Sequence, residues 1–288
     1  MENTKKFDNL FLSAGAMKAG TTWLYATLSK HPDLHFSLEK EIHYFYARSV
    51  DFGPLSDRRR LENVRNNYAK IDPDRSHISG VRNRLRWAAN YLDNPVDDLW
   101  YRNLFVFRRS QKYCCDFSNL YALLPEDAWR HAFNLTDRLR VLYTLRDPIS
   151  RLWSHVKFHL QITNQAHLLE TWAPKDFEAF IRQPFIWENA EYGAAIRRMR
   201  SVLPASCLKI CTFEDIHNDP KDFLRNLEEF LEVSHLNYSD DALRNRVNVS
   251  VSRPMPSFFV GLVERDIKRI IKEVEDQGVE IPEEWNIP

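Results

Sequence analysis

Leu12-Ser13-Ala14-Gly15-Ala16-Met17-Lys18-Ala19-Gly20-Thr21-Thr22 reads as a strand that turns into a helix around an anion. Two glycines bracket the turn and two threonines open the helix, so backbone N–H groups and hydroxyls converge at a helix N-terminus. Gly15 and Gly20 have the spacing of the nucleotide-triphosphatase loop G-x-x-x-x-G-K-[ST], but Thr21 stands where that loop has its lysine. The only cation, Lys18, comes from inside the turn. A nucleotide kinase or ATPase would also want a strand-end aspartate for Mg²⁺, and Arg146 occupies that place. The loop therefore predicts anion binding for another kind of group transfer.

Outward from the loop, the chain alternates strand and helix. Phe7–Ser13 reads as a buried strand and Thr21–Lys30 as a helix with Leu24 and Leu28 on one face, stopped by His31-Pro32. Leu34–Phe36 is a second short strand, and Leu104–Phe107 and Tyr113–Asp116 are brief strand-like pieces. Helix follows Pro125 over Asp127–Ala132. The strongest strand signal, Arg138–Leu145, runs into Arg146-Asp147-Pro148 and a helix over Ile149–Leu160. Residues 176–203 predict further helix, Cys207–Thr212 a strand, Pro220–Leu231 a helix, and Phe258–Glu275 an amphipathic helix. Residues 51–102 are polar and arginine-rich, with Trp87, Tyr91 and Trp100 at helical spacings. The expected fold is α/β and P-loop-like, in three layers: a central parallel sheet flanked by helices, with a mainly helical insertion at about 51–102 in a single domain spanning 1–288.

Composition narrows the class. Lys+Arg and Asp+Glu are 40 each, so net charge gives no reason to expect a nucleic-acid partner, although Arg58-Arg59-Arg60, Arg82/Arg84/Arg86 and Arg197-Arg198 form local basic patches. Cys114, Cys115, Cys207 and Cys211 read as buried reduced thiols, and no metal cluster is recognisable. Met1 to Lys6 carries no apolar leader, and no 18-residue apolar span occurs, so the expectation is a cytoplasmic protein without a transmembrane segment. Were the chain the trimmed part of a longer protein, the Golgi lumen would be the alternative, and Asn134, Asn237 and Asn248 match the glycosylation pattern. Oligomeric state stays open.

Three polar clusters each follow a predicted strand, where open parallel sheets bind ligands. The first is the Lys18 loop. In the second, Arg146 leaves a strand end and Ser154 lies two helical turns on, a second phosphate locus; an arginine capping the sheet edge, with Asp147 as N-cap, is the plainer reading. The third is Glu41-x-His43, which alternation places on one face if the segment is extended. A carboxylate and an imidazole beside a phosphate loop suit removal of a proton from an attacking hydroxyl.

With these residues in hand, the chain resembles the PAPS-dependent sulfotransferases, nearest the branch of heparan sulfate and bacterial carbohydrate and small-molecule enzymes. Gly15 through Pro32 resembles the family's 5′-phosphosulfate loop and following helix, and Glu41-Ile42-His43-Tyr44-Phe45 its Glu-x-His-x-Phe pattern. Leu145-Arg146-Asp147-Pro148 through Ser154-His155 is similar to its 3′-phosphate element, and Thr212-Phe213-Glu214-Asp215-Ile216, Asp219-Pro220 and Phe230-Leu231 to its late pattern. The resemblance implies PAPS as donor and PAP as product. It places the 5′-phosphosulfate on Lys18, Ala19, Gly20, Thr21 and Thr22, and the 3′-phosphate on Arg146 and Ser154. It makes Glu41 the base, with His43 supporting it or touching the acceptor. It sets Tyr192-Gly193 near the adenine, and Asn248, Ser250, Ser252 and Arg253 in a loop over the cofactor.

One segment departs from the pattern. The heparan sulfate enzymes have Glu-Lys-[Ser/Thr]-Pro-x-Tyr, whose lysine approaches the reaction centre; here the stretch is Asp116-Phe117-Ser118-Asn119-Leu120-Tyr121. Phe117 donates no bond and neutralises no charge. The departure admits a non-catalytic PAPS- or partner-binding protein as an alternative, and weakens a heparan-like acceptor. The implied acceptor is a hydroxyl of a carbohydrate, glycolipid or small molecule, and Trp87, Tyr91, Trp100, Trp153 and Trp187 are either an aromatic wall for it or core.

Overall fold

The computed structural model describes residues 6–50, 53–240, 243 and 253–285. Five strands, β1 (Phe7–Ser13), β2 (Leu34–Phe36), β3 (Tyr113–Phe117), β4 (Thr136–Leu145) and β5 (Leu208–Thr212), form one sheet in the order β2-β3-β1-β4-β5. Every described pairing is parallel. Successive side chains of β1 point to opposite faces, which divides the core: Leu10 and Leu12 join one buried cluster, and Phe11 joins Leu24, Leu28 and Phe117 in the other. Both faces are therefore covered by helices, as an all-parallel sheet requires.

The register brings the polar segments together. Ser13, the last residue of β1, pairs with Phe117 of β3 on one side and Leu142 of β4 on the other. The loops after β1, β3 and β4 consequently leave the sheet side by side. Helix α1 (Thr21–Leu28) follows β1, and α2 (Tyr44–Ser49) follows the segment carrying Glu41. Helices α3 (Asp57–Asn63), α4 (Ile78–Leu92) and α5 (Asp98–Asn103) occupy the arginine-rich stretch. Helix α6 (Glu126–Asn134) crosses from β3 to β4, and α7 (Pro148–Ile162) follows β4.

Several sequence expectations are corrected. Leu104–Phe107 is a series of turns after α5, not a strand. The 176–203 stretch is three helices, Pro174–Ile181, Pro184–Trp187 and Tyr192–Arg200, interrupted where Pro184 lacks an N–H to continue the first. The Glu41-x-His43 segment is irregular rather than extended, and His43 has φ +57°. The aromatic wall is core: Trp87, Tyr91 and Trp100 are buried, Trp87 stacks on Tyr91, and Trp153 packs against Phe259. Trp187, partly buried, lies under Arg182. All four cysteines are buried free thiols.

The Arg58-Arg59-Arg60 patch also divides. Arg58 and Arg59 pair with Glu62 at the surface, whereas Arg60 is buried and donates to the Tyr91 and Asp93 carbonyls, Asp57 and Asn94. It ties α3 to the end of α4. Among the described residues no helix is long and apolar enough to cross a membrane.

Candidate active site

The turn after β1 is fixed on both sides by neighbouring strands. The N–H groups of Ala14 and Ala16 donate to the carbonyls of Leu142 and Thr144, while Ala122 donates to the Ala14 carbonyl. Two glycines are required sterically. Gly15 has φ +104°, and a Cβ there would sit 2.7 Å from the Asn119 carbonyl oxygen; Gly20 has φ +83°, and its Cβ would meet the Phe213 ring at 2.8 Å. Gly20 is also the N-cap of α1 and offers no side chain to cap it. The first N–H groups of α1 thus face the turn with no capping side chain.

Lys18 lies in the middle of this turn with φ +69°, its ammonium 4.4 Å from the centre of the Phe158 ring. Burial holds its pKa below the usual lysine range, and the positive charges of Arg146, Lys157 and Lys40 lower it further. Arg146 donates to the Lys18 carbonyl at 3.0 Å and lies 4.5 Å over the Phe213 ring. Burial lowers its pKa as well, against the opposing pull of Glu214, Tyr192 and Asp147. Its strand is interior to the sheet, so this arginine does not cap an edge. Asp147 does serve as N-cap of α7, accepting from the Ile149 and Ser150 N–H groups. Ser154 is buried two turns along α7.

On the opposite side, Glu41 is held by both oxygens. Oε1 accepts from Lys40 Nζ at 2.6 Å; Oε2 accepts from the Asn119 N–H at 2.9 Å and lies 3.5 Å from His43 Nε2. The irregular backbone, with His43 in the left-handed region, brings the two side chains together without the alternation expected of a strand. Burial pushes the His43 imidazole down to about 4, although Glu41 opposes this, so it is neutral near pH 7.

Behind them, the His43 N–H donates to Ser118 Oγ, and Ser118 donates to Asp116. Asp116 also accepts from the hydroxyls of Tyr101 and Tyr121, yet burial raises its pKa to about 6. Asn119 belongs to both halves, its carbonyl against Gly15 and its N–H on Glu41.

The family model described as the sulfotransferase family matches residues 12–237, which include the Lys18 turn, Glu41, Asn119 and Arg146. The chain belongs to the sulfotransferase family. Its structure is similar to a sulfotransferase from Alicyclobacillus acidocaldarius, with 21% identity, TM-score 0.61 and coverage of 96% of this chain and 97% of that one. It is also similar to the sulfotransferase domain of the Synechococcus PCC 7002 olefin synthase, at 17% identity and TM-score 0.53, covering 96% and 97%. These likenesses concern the fold.

Two curated relatives are more distant in length. The sulfotransferase is 23% identical to the bifunctional heparan sulfate N-deacetylase/N-sulfotransferase 4 of Mus musculus over 80% of this chain and 23% of that protein. It is 22% identical to the membrane-associated sulfotransferase kil1 of Dictyostelium discoideum over 82% of this chain and 59% of that protein. The chain therefore spans less than two thirds of either relative.

The sulfotransferase's own residues fit a phosphosulfate donor. Lys18 is surrounded by other cations, and no carboxylate is paired with it among the described residues. The turn leaves no room for a Cβ at Gly15 or Gly20.

The structure thus brings Lys18, Ala19, Gly20, Thr21, Thr22, Arg146, Glu41 and His43 around adjoining loops. Tyr192 is wholly buried and donates to the Arg146 carbonyl, so its visible contact is with the arginine's backbone. Arg253 is exposed and ion-paired with Glu170, while its carbonyl accepts from the Trp153 indole N–H. Asn248, Ser250 and Ser252 lie outside the described residues. Phe158, whose ring carries the Lys18 ammonium, belongs to none of the polar motifs; it lies four residues after Ser154, one turn along the same helix face, and that spacing is the only signal of it in the sequence.

Proposed function

We propose that this enzyme transfers a sulfuryl group from PAPS to a hydroxyl of a carbohydrate, glycolipid or small molecule, with Glu41 as base. Lys18 and the N-terminal N–H groups of α1 would hold the 5′-phosphosulfate, and Arg146 with Ser154 the 3′-phosphate. Glu41 takes the proton as the acceptor oxygen bonds to sulfur in line with the breaking S–O bond. Lys18 meets the charge left on the 5′-phosphate oxygen. His43, neutral and against Glu41, steadies the carboxylate or touches the acceptor.

The observation that carries this reading is Asn119. One residue presses its carbonyl against Gly15 of the donor turn and gives its N–H to Glu41, so the base and the turn keep a fixed separation. An acceptor related to the heparan branch is supported by the Glu-x-His pattern and the 23%-identical mouse relative, and opposed by Phe117, whose ring is buried among Phe11, Tyr25 and Phe36.

The test is incubation with labelled PAPS and pools of hydroxyl-bearing acceptors, followed by mass spectrometry for a sulfate-sized mass gain. Glu41→Gln should lose about 10²–10⁴-fold in turnover and keep its affinity for PAP. Normal transfer by Glu41→Gln at saturating PAPS and acceptor would remove Glu41 from the role of base.

A further inference from the structure

The segment after β3 brings no cation to the reaction centre. Phe117 is buried, and its neighbours Ser118 and Asn119 are neutral groups engaged with His43 and Glu41. A transferring sulfuryl group nevertheless carries negative charge on oxygens that Lys18, placed for the departing phosphate, does not surround. Three cations lie near enough to Lys18 for their charge to bear on it: Arg146, Lys157 and Lys40. Arg146 is engaged with the Lys18 carbonyl and the Phe213 ring, beside Asp147 and Glu214. Lys157 lies on α7 near the Trp153 ring, and Arg146 is the cation that bears on it. Lys40 alone of the three is on the side of the base, its Nζ 2.6 Å from Glu41 Oε1.

We propose that Lys40 is a further catalytic residue, a cation that moves from Glu41 to the sulfuryl oxygens as Glu41 becomes protonated. The inference rests on the sulfuryl-transfer reading given above. In the resting site Lys40 is paired with the Glu41 carboxylate. As the acceptor hydroxyl attacks, its proton passes to Glu41, the new O–S bond forms, and the S–O bond to the 5′-phosphate breaks with its electron pair going to the phosphate oxygen. Glu41 is then neutral and no longer holds the ammonium. On this proposal the ammonium then turns to the oxygens of the group in flight, to which it forms no covalent bond. Charge reaches the sulfuryl group when the base has finished its part, so the ammonium does not neutralise Glu41 at the end of the reaction.

Glu41→Gln imitates the protonated base, which makes the exchange visible in binding without knowledge of the acceptor. Affinities for PAPS and PAP are measured by calorimetry on the wild type, Glu41→Gln, Lys40→Met and the double variant. The expected result is that Glu41→Gln binds PAPS about 10-fold tighter, a gain of about 1.4 kcal/mol, while PAP changes less than about 2-fold. With Met at position 40, the same Glu41→Gln substitution should tighten PAPS by no more than about 3-fold.

Three results would overturn the role of Lys40. The gain with PAPS could persist in full without the ammonium, which would make it simple relief of carboxylate repulsion. It could be absent from Glu41→Gln altogether. Or Lys40→Met could weaken PAP as much as PAPS, which would show a part in shaping the loop. A wild-type protein that binds neither nucleotide would instead sink the sulfotransferase site itself.

Discussion

Asp116→Asn tests the network behind Glu41 and His43. The Asp116 carboxylate is buried on β3, accepting from Ser118 at 2.7 Å, Tyr121 at 2.6 Å and Tyr101 at 3.0 Å. Those three donors favour the ionised form, but burial outweighs them and Glu41 adds repulsion, so its pKa rises from 3.8 to about 6. Below pH 3.8 the carboxyl is protonated in folded and unfolded chains alike, and it makes stability no different. Between 3.8 and about 6 the unfolded chain releases the proton while the folded chain keeps it, so folding loses stability as pH rises. The gap between the two values corresponds to about 3 kcal/mol, fully lost above about pH 6.

Asparagine keeps an oxygen to accept from the hydroxyls and has no such titration. Urea unfolding of both proteins from pH 4 to pH 7 should show the stability of the wild type, relative to Asp116→Asn, falling by about 2.4 kcal/mol, the first part of the loss having occurred by pH 4. His35, pushed down to about 4 by burial and outside this hydrogen-bond network, titrates in the two proteins alike and cancels in the difference. A difference that stays flat within about 0.5 kcal/mol across that range would refute the assignment of an energetically costly ionised Asp116. What the cost maintains is direction: with Asp116 ionised, the Ser118 hydroxyl must donate to it and keeps a lone pair for the His43 N–H.

Arg146→Ala should weaken PAP about 10- to 100-fold by loss of a charge-assisted contact and leave adenosine 5′-phosphate nearly unchanged; equal loss for both nucleotides would take the 3′-phosphate away from Arg146. Gly20→Ala forces a side chain into the left-handed region and against the Phe213 ring, a cost of about 2 kcal/mol or more. Calorimetry should show a Tm lower by about 4 °C or more, and PAP affinity should fall with it, because the displaced Phe213 ring also seats Arg146. Phe117→Lys should not restore a catalytic lysine: its ammonium would enter the cluster of Phe11, Tyr25 and Phe36 at a cost of roughly 3–5 kcal/mol, read as a lowered urea midpoint, and a stable variant with increased turnover would contradict this placement.

What the sequence revealed and what it withheld differ in physical kind. Phe7–Ser13 and Pro220–Leu231 were legible to the residue because their apolar patterns are local and each has a clear boundary, a glycine turn that ends the strand in one case and Pro220 with its Asp219 cap that start the helix in the other. Leu104–Phe107 misled because four apolar residues in a row fit a strand and a buried turn equally well, and only the sheet, which has no place for them, decides. The Glu41/His43 pair was found for an incomplete reason: alternation predicts one face of a strand, whereas the two meet through a left-handed residue that no periodicity records.

The same distinction explains the interior of the site. Lys18, Arg146 and Glu41 stand out in a sequence because charged residues at strand ends and glycine turns are unusual. Asn119 and Ser118 do not, since what they contribute is backbone and hydroxyl geometry fixed by strands β1 and β3 meeting in register at Ser13 and Phe117. The departure at Phe117 reads, from sequence, only as a missing charge. In the fold the residue faces the core, and its two successors hold Glu41 and His43. On the proposed reading, charge on that side comes from the loop being held, and Lys40 is the cation that loop supplies.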